Sequence, residues 1–158
     1  MRCLVLASAA CRLSPHGARM MAEVARLVSA GDPRRAAALV AGKLAPRPVR
    51  PAAGALAWLA NPLAVDDPTD MLITNAAMRA CDAEPGLHRV RAPSLVMGGS
   101  ADPYYTESLF RLTAAGIPAG HAVVFPGKGH LYAASSKAPA TIALGFLLGG
   151  CGPAGHRP

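Results

Sequence analysis

Apolar positions fall along this chain in two rhythms. Residues 3–7, Cys-Leu-Val-Leu-Ala, form a short unbroken apolar run. From residue 17 to about 81 the apolar positions recur three and four residues apart, and from residue 94 onward short apolar runs alternate with such stretches. A four-to-eight-residue apolar run bounded by turn residues fits a strand buried on both faces, whereas three-and-four spacing fits an amphipathic helix.

On this basis a first helix spans residues 17–30, with Met20, Met21, Val24, Leu27 and Val28 on its apolar stripe. Gly31-Asp32-Pro33 stops it and starts a second helix running to about Leu44. Residues 45–51 hold three prolines, which predicts an extended connector, followed by a short apolar segment with Leu56, Trp58 and Leu59. Another helix follows Asp67-Pro68, capped by Thr69 or Asp70, with Met71, Leu72, Ala76, Met78 and Arg79 within it. No strand signal occurs between residues 12 and 81.

Beyond Ala92-Pro93 the run Ser94-Leu95-Val96-Met97-Gly98-Gly99 predicts a buried parallel strand. Asp102-Pro103 then opens a helix through Leu109, Phe110, Leu112 and Ala115, closed by Gly116. His121-Ala122-Val123-Val124-Phe125 predicts another strand, and a last helix, residues 136–148, places Ile142, Leu144, Phe146 and Leu147 on its apolar positions. Residues 150–158 have the look of a frayed tail. Strand, helix, strand, loop and helix in succession define an α/β class with right-handed crossovers.

The first segment has a competing reading. Arg2, a short apolar run and Ser8-Ala9-Ala10 before Cys11 resemble a secretory or lipoprotein signal. Against this, the apolar core ends at Ala7, there is one basic residue, and Ser8 stands where a lipoprotein site has leucine. A strand ending in small residues and followed by the Ser14-Pro15 turn fits better.

Composition narrows the function. With 158 residues, 52% hydrophobic and 16% charged, the chain has the size and apolar content of a folded domain. The net charge of +7 invites a nucleic-acid reading. The arginines are dispersed, however, the densest being Arg34, Arg35, Arg47 and Arg50 among prolines, with no interleaved aromatics to stack bases. We therefore expect no nucleic-acid partner. No apolar stretch approaches the roughly 18 residues of a membrane helix, so no membrane partner is expected. Cys3, Cys11, Cys81 and Cys151 lack zinc-type spacing, and reduced, mostly buried thiols are expected. Nothing calls for a metal or an organic cofactor.

Chemistry concentrates near two strand ends. In an open parallel sheet, functional groups gather where the carboxyl ends of strands open into loops. Asp102 lies three residues beyond Gly99, and His130 five beyond Phe125, within Pro126-Gly127-Lys128-Gly129-His130. An aspartate there can fix a histidine's tautomer and stabilise its imidazolium form while the other ring nitrogen acts as base. Each residue also has a purely structural reading. Asp102 before Pro103 looks like a helix N-cap, and His130 can be an ordinary loop histidine between turn glycines.

The segment from residue 90 to 149, above all Arg91-Ala92-Pro93-Ser94-Leu95-Val96-Met97-Gly98-Gly99-Ser100-Ala101-Asp102 and Gly127-Lys128-Gly129-His130, resembles the end of the α/β-hydrolase fold. The resemblance implies that Asp102 is the acid after the seventh strand and His130 the base after the eighth, with a closing helix on the sheet. It makes residues 2–12 the sixth strand and so favours the strand reading and a cytoplasmic location over a secreted lipoprotein. It implies an incomplete α/β-hydrolase fold of about three parallel strands: a core of residues 1–15 and 82–150, a helical cap of residues 16–81 and a tail of residues 151–158.

The departure from the family lies in the nucleophile. G-x-S-x-G is absent: Gly98-Gly99-Ser100-Ala101-Asp102 lacks the closing glycine, and Ser8 sits among alanines. Cys11, just past the first strand, reads as a structural thiol. The expected activity is ester-type hydrolysis of a small molecule by a Ser-His-Asp triad, with the serine missing and the chain inactive alone. The alternative is a non-catalytic complementing module that pairs through an open sheet edge near residues 3–8. Met20, Met21, Leu27, Leu56, Trp58 and Met78 offer apolar surface on the cap, more simply read as helix packing.

Overall fold

The computed structural model describes residues 2–61 and 65–151. Its contacts divide into two units, one of residues 1–12 with 82–158 and one of residues 13–81. In the first, β1 (Leu4–Ala7), β2 (Ser94–Gly99) and β3 (Gly120–Phe125) form a parallel sheet in the order β1-β2-β3. The register pairs Leu4 with Ser94 and Ala7 with Met97 on one side of β2, and Ser94 with Gly120 and Gly99 with Phe125 on the other. These are the three parallel strands that the apolar runs predict, in the one open sheet expected.

β2 lies in the middle and is buried at every residue, whereas β1 and β3 are half-buried. The two-residue alternation of a strand sorts the side chains to opposite faces. Val5, Ala7, Leu95, Met97, Val123 and Phe125 meet Ala133, Ala143 and Phe146 of helices α6 (His130–Ser135) and α7 (Lys137–Leu148). Leu6, Val96, Ala122 and Val124 meet Phe110 and Ala114 of helix α5 (Glu107–Gly116) on the other face. Covered faces on both sides explain why these strands read as continuous apolar runs.

The excursion between Arg12 and Asp82 is clasped at its base. The Ala83 N–H donates to the Cys11 carbonyl at 2.9 Å, and Arg12 pairs with Asp82 at 3.7 Å and with Glu84. Cys11 is buried between Leu87 and Ile117, its N–H donating to Thr113 Oγ1 at 2.9 Å. It is a packed structural thiol.

The second unit is helical: α1 (Pro15–Ser29), α2 (Pro33–Leu44), α3 (Arg50–Ala60) and α4 (Thr69–Ala80). Ser14 and Asp32 cap α1 and α2 by accepting from Gly17 N and Arg35 N, and each helix starts on proline, where the missing N–H costs nothing. Val24, Leu27 and Val28 of α1 pack on Ala36, Leu39 and Val40 of α2 and on Met71 and Leu72 of α4. Buried Asn75 ties α4 to α1, donating to the Met21 carbonyl at 2.9 Å.

Four features differ from the sequence expectation. Residues 45–51 are not an extended connector: a 3-10 turn at Arg47–Val49 runs into α3, which accepts Pro51 in its first turn. In α7, Phe146 is buried but Ile142, Leu144 and Leu147 are exposed, so one apolar line and not the whole set faces the sheet. Of the six apolar residues on the helical unit, Met20 and Leu27 are core, while Leu56 is 68% exposed and Trp58 and Met78 are also exposed. Finally, Cys3 and Cys151 are not free thiols. The start of β1 and the residue following α7 lie 5.8 Å apart at Cα and are joined as a disulfide, within the span such a bond needs. Residues 152–158 of the expected tail lie outside the described residues.

Candidate active site

The loops that follow β2 and β3 are zipped together by backbone bonds. Ser100 N–H donates to Phe125 O at 3.0 Å, Ala101 N–H to Lys128 O at 2.9 Å, and Gly127 N–H to the Ser100 hydroxyl at 2.8 Å. The approach needs a residue without a side chain at the end of β2. A Cβ on Gly99 would stand 2.0 Å from the Lys128 carbonyl oxygen. Gly127, at φ +69°, turns the second loop.

The zipped loops bring Asp102 and His130 together. The His130 Nδ1 and Asp102 Oδ2 lie 2.7 Å apart. The other carboxylate oxygen, Oδ1, accepts from the Tyr104 N–H at 2.7 Å and the Tyr105 N–H at 3.2 Å. The Asp102 side chain is 0% exposed and that of His130 23%. A buried carboxylate is costly unless its oxygens are satisfied, and here two backbone donors and one ring donor do so. With Nδ1–H donated to the carboxylate, Nε2 presents a lone pair, the form a general base needs. Among the described residues no hydrogen-bond partner stands at Nε2.

Asp102 is therefore not the N-cap of the following helix. α5 begins at Glu107, and Thr106 caps it, its hydroxyl accepting from Leu109 N at 3.3 Å. The carboxylate bends the chain after β2 and has its second oxygen on a residue 28 positions away. His130 is likewise not in a loop but is the first residue of α6.

Three further residues stand beside the pair: Tyr104 and Tyr105, which the sequence reading does not name, and Ser8, which it weighs only as a nucleophile or a signal position. Two of the chain's three tyrosines directly follow Asp102-Pro103, in a chain with 4% aromatics, and that clustering was the available signal. Tyr104 is buried, with its ring centroid 4.7 Å from that of His130. Its phenol is pushed above the usual range by burial, with the Asp102 charge adding to the effect. Ser8, just past β1, is buried at φ +54°, donates its hydroxyl to the His130 carbonyl and its N–H to Met97 O at 2.8 Å. A hydroxyl so engaged acts as a latch between the first strand and the histidine backbone. Ser8→Ala keeps the positive φ and removes the hydroxyl bond to the His130 carbonyl, so folding stability should fall by about 1 kcal/mol in urea denaturation.

Among the described residues no group of three or more His, Cys, Asp or Glu side chains is placed to hold a metal ion. No helix among them is long and apolar enough to cross a membrane.

A scan against known family profiles finds no match, and a search among curated proteins finds none. Solved structures do match. A hydrolase from Pseudomonas aeruginosa PA01 is 26% identical at TM-score 0.70, over 94% of this chain and 56% of its own. The enol-lactonase from Burkholderia xenovorans LB400 is 17% identical at TM-score 0.75, over 94% of this chain and 56% of its own. MGS-M2, an α/β-hydrolase enzyme from a Medee basin deep-sea metagenome library, is 12% identical at TM-score 0.69, over 99% and 58%. The chain thus has the α/β-hydrolase fold. Within it, the chain corresponds to the C-terminal part, and spans between 56% and 58% of the length of these three structures.

Proposed function

We propose that these 158 residues supply the acid and base of an α/β-hydrolase that cleaves an ester-type bond, and that the nucleophile and oxyanion donors come from polypeptide outside them. The observation that carries the reading is the 2.7 Å contact of His130 Nδ1 with a buried carboxylate whose other oxygen is held by two backbone N–H groups. In this scheme Nε2 removes the proton of an attacking hydroxyl and returns it to the leaving group. Asp102 holds the tautomer and stabilises the imidazolium between the two transfers. In this scheme residues 16–81 correspond to the helical cap of the family. The enol-lactonase and an esterase from Exiguobacterium antarcticum among the similar structures support a small ester or lactone as substrate class.

Neither serine near the pair suits the missing role. Ser8 is engaged with the His130 carbonyl, and the Ser100 hydroxyl accepts from Gly127 N. The reading is tested on the DNA upstream of Met1. An in-frame G-x-S-x-G between an apolar run and a helical pattern supports it, and its absence counts heavily against it.

A second reading has an observation of its own. β1 is half-buried at all four residues and, among the described residues, has a neighbouring strand on one side only. Such an edge accepts another strand. On this reading the chain is a non-catalytic complementing module, self-associating or joined to a second polypeptide. A monomeric, well-folded product in size-exclusion chromatography argues against it.

For the compartment we propose the cytoplasm, because residues 4–7 serve as a strand of the sheet and not as a removable signal. The Cys3–Cys151 disulfide is at odds with a reducing cytosol. Counting reactive thiols before and after reductant decides between the two.

A further inference from the structure

The pair Tyr104-Tyr105 is attached to the acid and the base at once. Through their backbone N–H groups both residues hold Asp102 Oδ1. Through their rings both pack against the imidazole, from adjacent directions, with their own centroids 6.4 Å apart. Tyr104 approaches His130 edge-on, centroids 4.7 Å apart at 65°, and Tyr105 lies near-parallel to it, 6.1 Å away at 28°. The Tyr105 ring is itself set 5.9 Å from that of Phe110, a fully buried core residue between α5 and the sheet. A rigid line of contacts therefore runs from the core, through Tyr105, to the ring of the histidine.

We propose that Tyr104 and Tyr105 are positioning residues, an aromatic clamp that fixes the plane of the His130 ring so that Nδ1 stays on Asp102. The inference rests on the reading of Asp102 and His130 as acid and base. A buried aspartate alone does not fix a ring that can turn about its own bond, because one contact restrains one atom. An edge-on ring and a near-parallel ring packed against it from adjacent directions restrain the plane.

Packing, not charge, supplies most of the effect. The Tyr105 ring stands at about the 6 Å limit of useful cation–π attraction, whereas edge-on and offset ring pairs are favourable through packing and quadrupole contacts. Tyr104 takes part as a neutral ring, since burial and the neighbouring carboxylate keep its phenol protonated past the ordinary range. The other titratable or charged groups nearby are Asp102, Tyr105, and on the side of α6, Tyr132 with the Lys128 ammonium 4.9 Å over its ring.

The chain itself provides the test, because the readout is the histidine and not turnover. Proton NMR follows the far-downfield Nδ1–H of His130. Asp102→Asn should abolish the downfield signal, and its persistence would overturn the acid–base reading itself. Given that loss, Tyr104→Met and Tyr105→Leu should each broaden the signal through faster exchange. Tyr104→Phe should restore the wild-type signal. An unchanged signal in both Tyr104→Met and Tyr105→Leu would overturn the clamp while leaving the pair intact. Should Tyr104→Met fail to fold, half-buried Tyr105, whose replacement disturbs the core less, decides the matter.

Discussion

Replacing Gly99 by alanine is expected to lower folding stability by about 3 kcal/mol, the upper end of what overpacking costs. The added Cβ would stand 2.0 Å from the Lys128 carbonyl oxygen, 2.5 Å from its carbon and 2.8 Å from the Gly129 oxygen. These are backbone atoms of a loop already tied to Ser100 and Ala101, so no side chain can swing away. Relief requires parting the two loops, and with them Asp102 and His130. Urea denaturation reads the stability loss. Loss of the His130 Nδ1–H signal under native conditions reads the parted pair. Gly145→Ala makes the control, since a Cβ there has nothing within 4 Å in the middle of α7. It should instead stabilise the chain by about 0.5–1 kcal/mol.

On the proposed function, the largest effect on activity belongs to Asp102. When the chain is joined to a segment that supplies a nucleophile elbow and oxyanion donors, Asp102→Asn should lower kcat about 10⁴-fold, the scale seen when that carboxylate is neutralised in Ser-His-Asp enzymes. The amide keeps the shape of the carboxylate, and its oxygen can still accept from Tyr104 and Tyr105. Its NH₂ then faces Nδ1, donates to it, and so favours the tautomer with the proton on Nε2, which cannot act as base. KM should change little, because in the proposed scheme Asp102 acts through the histidine and does not touch the substrate. Steady-state ester hydrolysis by wild type and variant, each in the joined form, measures both.

Much of this arrangement is legible in the chain, and what is not has identifiable causes. The three strands appear as apolar runs because both sheet faces are covered, and Asp102 and His130 stand out because they follow those runs at loop length. α5 starts at Glu107 and not after Asp102 because the local rule, aspartate before proline as an N-cap, competes with a partner 28 positions away that spacing does not reveal. α3 begins inside a proline-rich stretch because a first helical turn tolerates Pro51. The Cys3–Cys151 bond, across 148 positions, has no local signature at all. Tyr104, Tyr105 and Ser8 act through ring placement and a backbone carbonyl, contacts that residue type alone does not announce.

The central claim is that this chain holds a positioned acid and base without a nucleophile of its own. The most direct measurement is hydrolysis of a simple chromogenic ester by the chain alone, wild type against His130→Ala. The account predicts equal rates at the uncatalysed background. A wild-type rate well above background that falls with His130→Ala would contradict it, because the nucleophile would then lie within these residues.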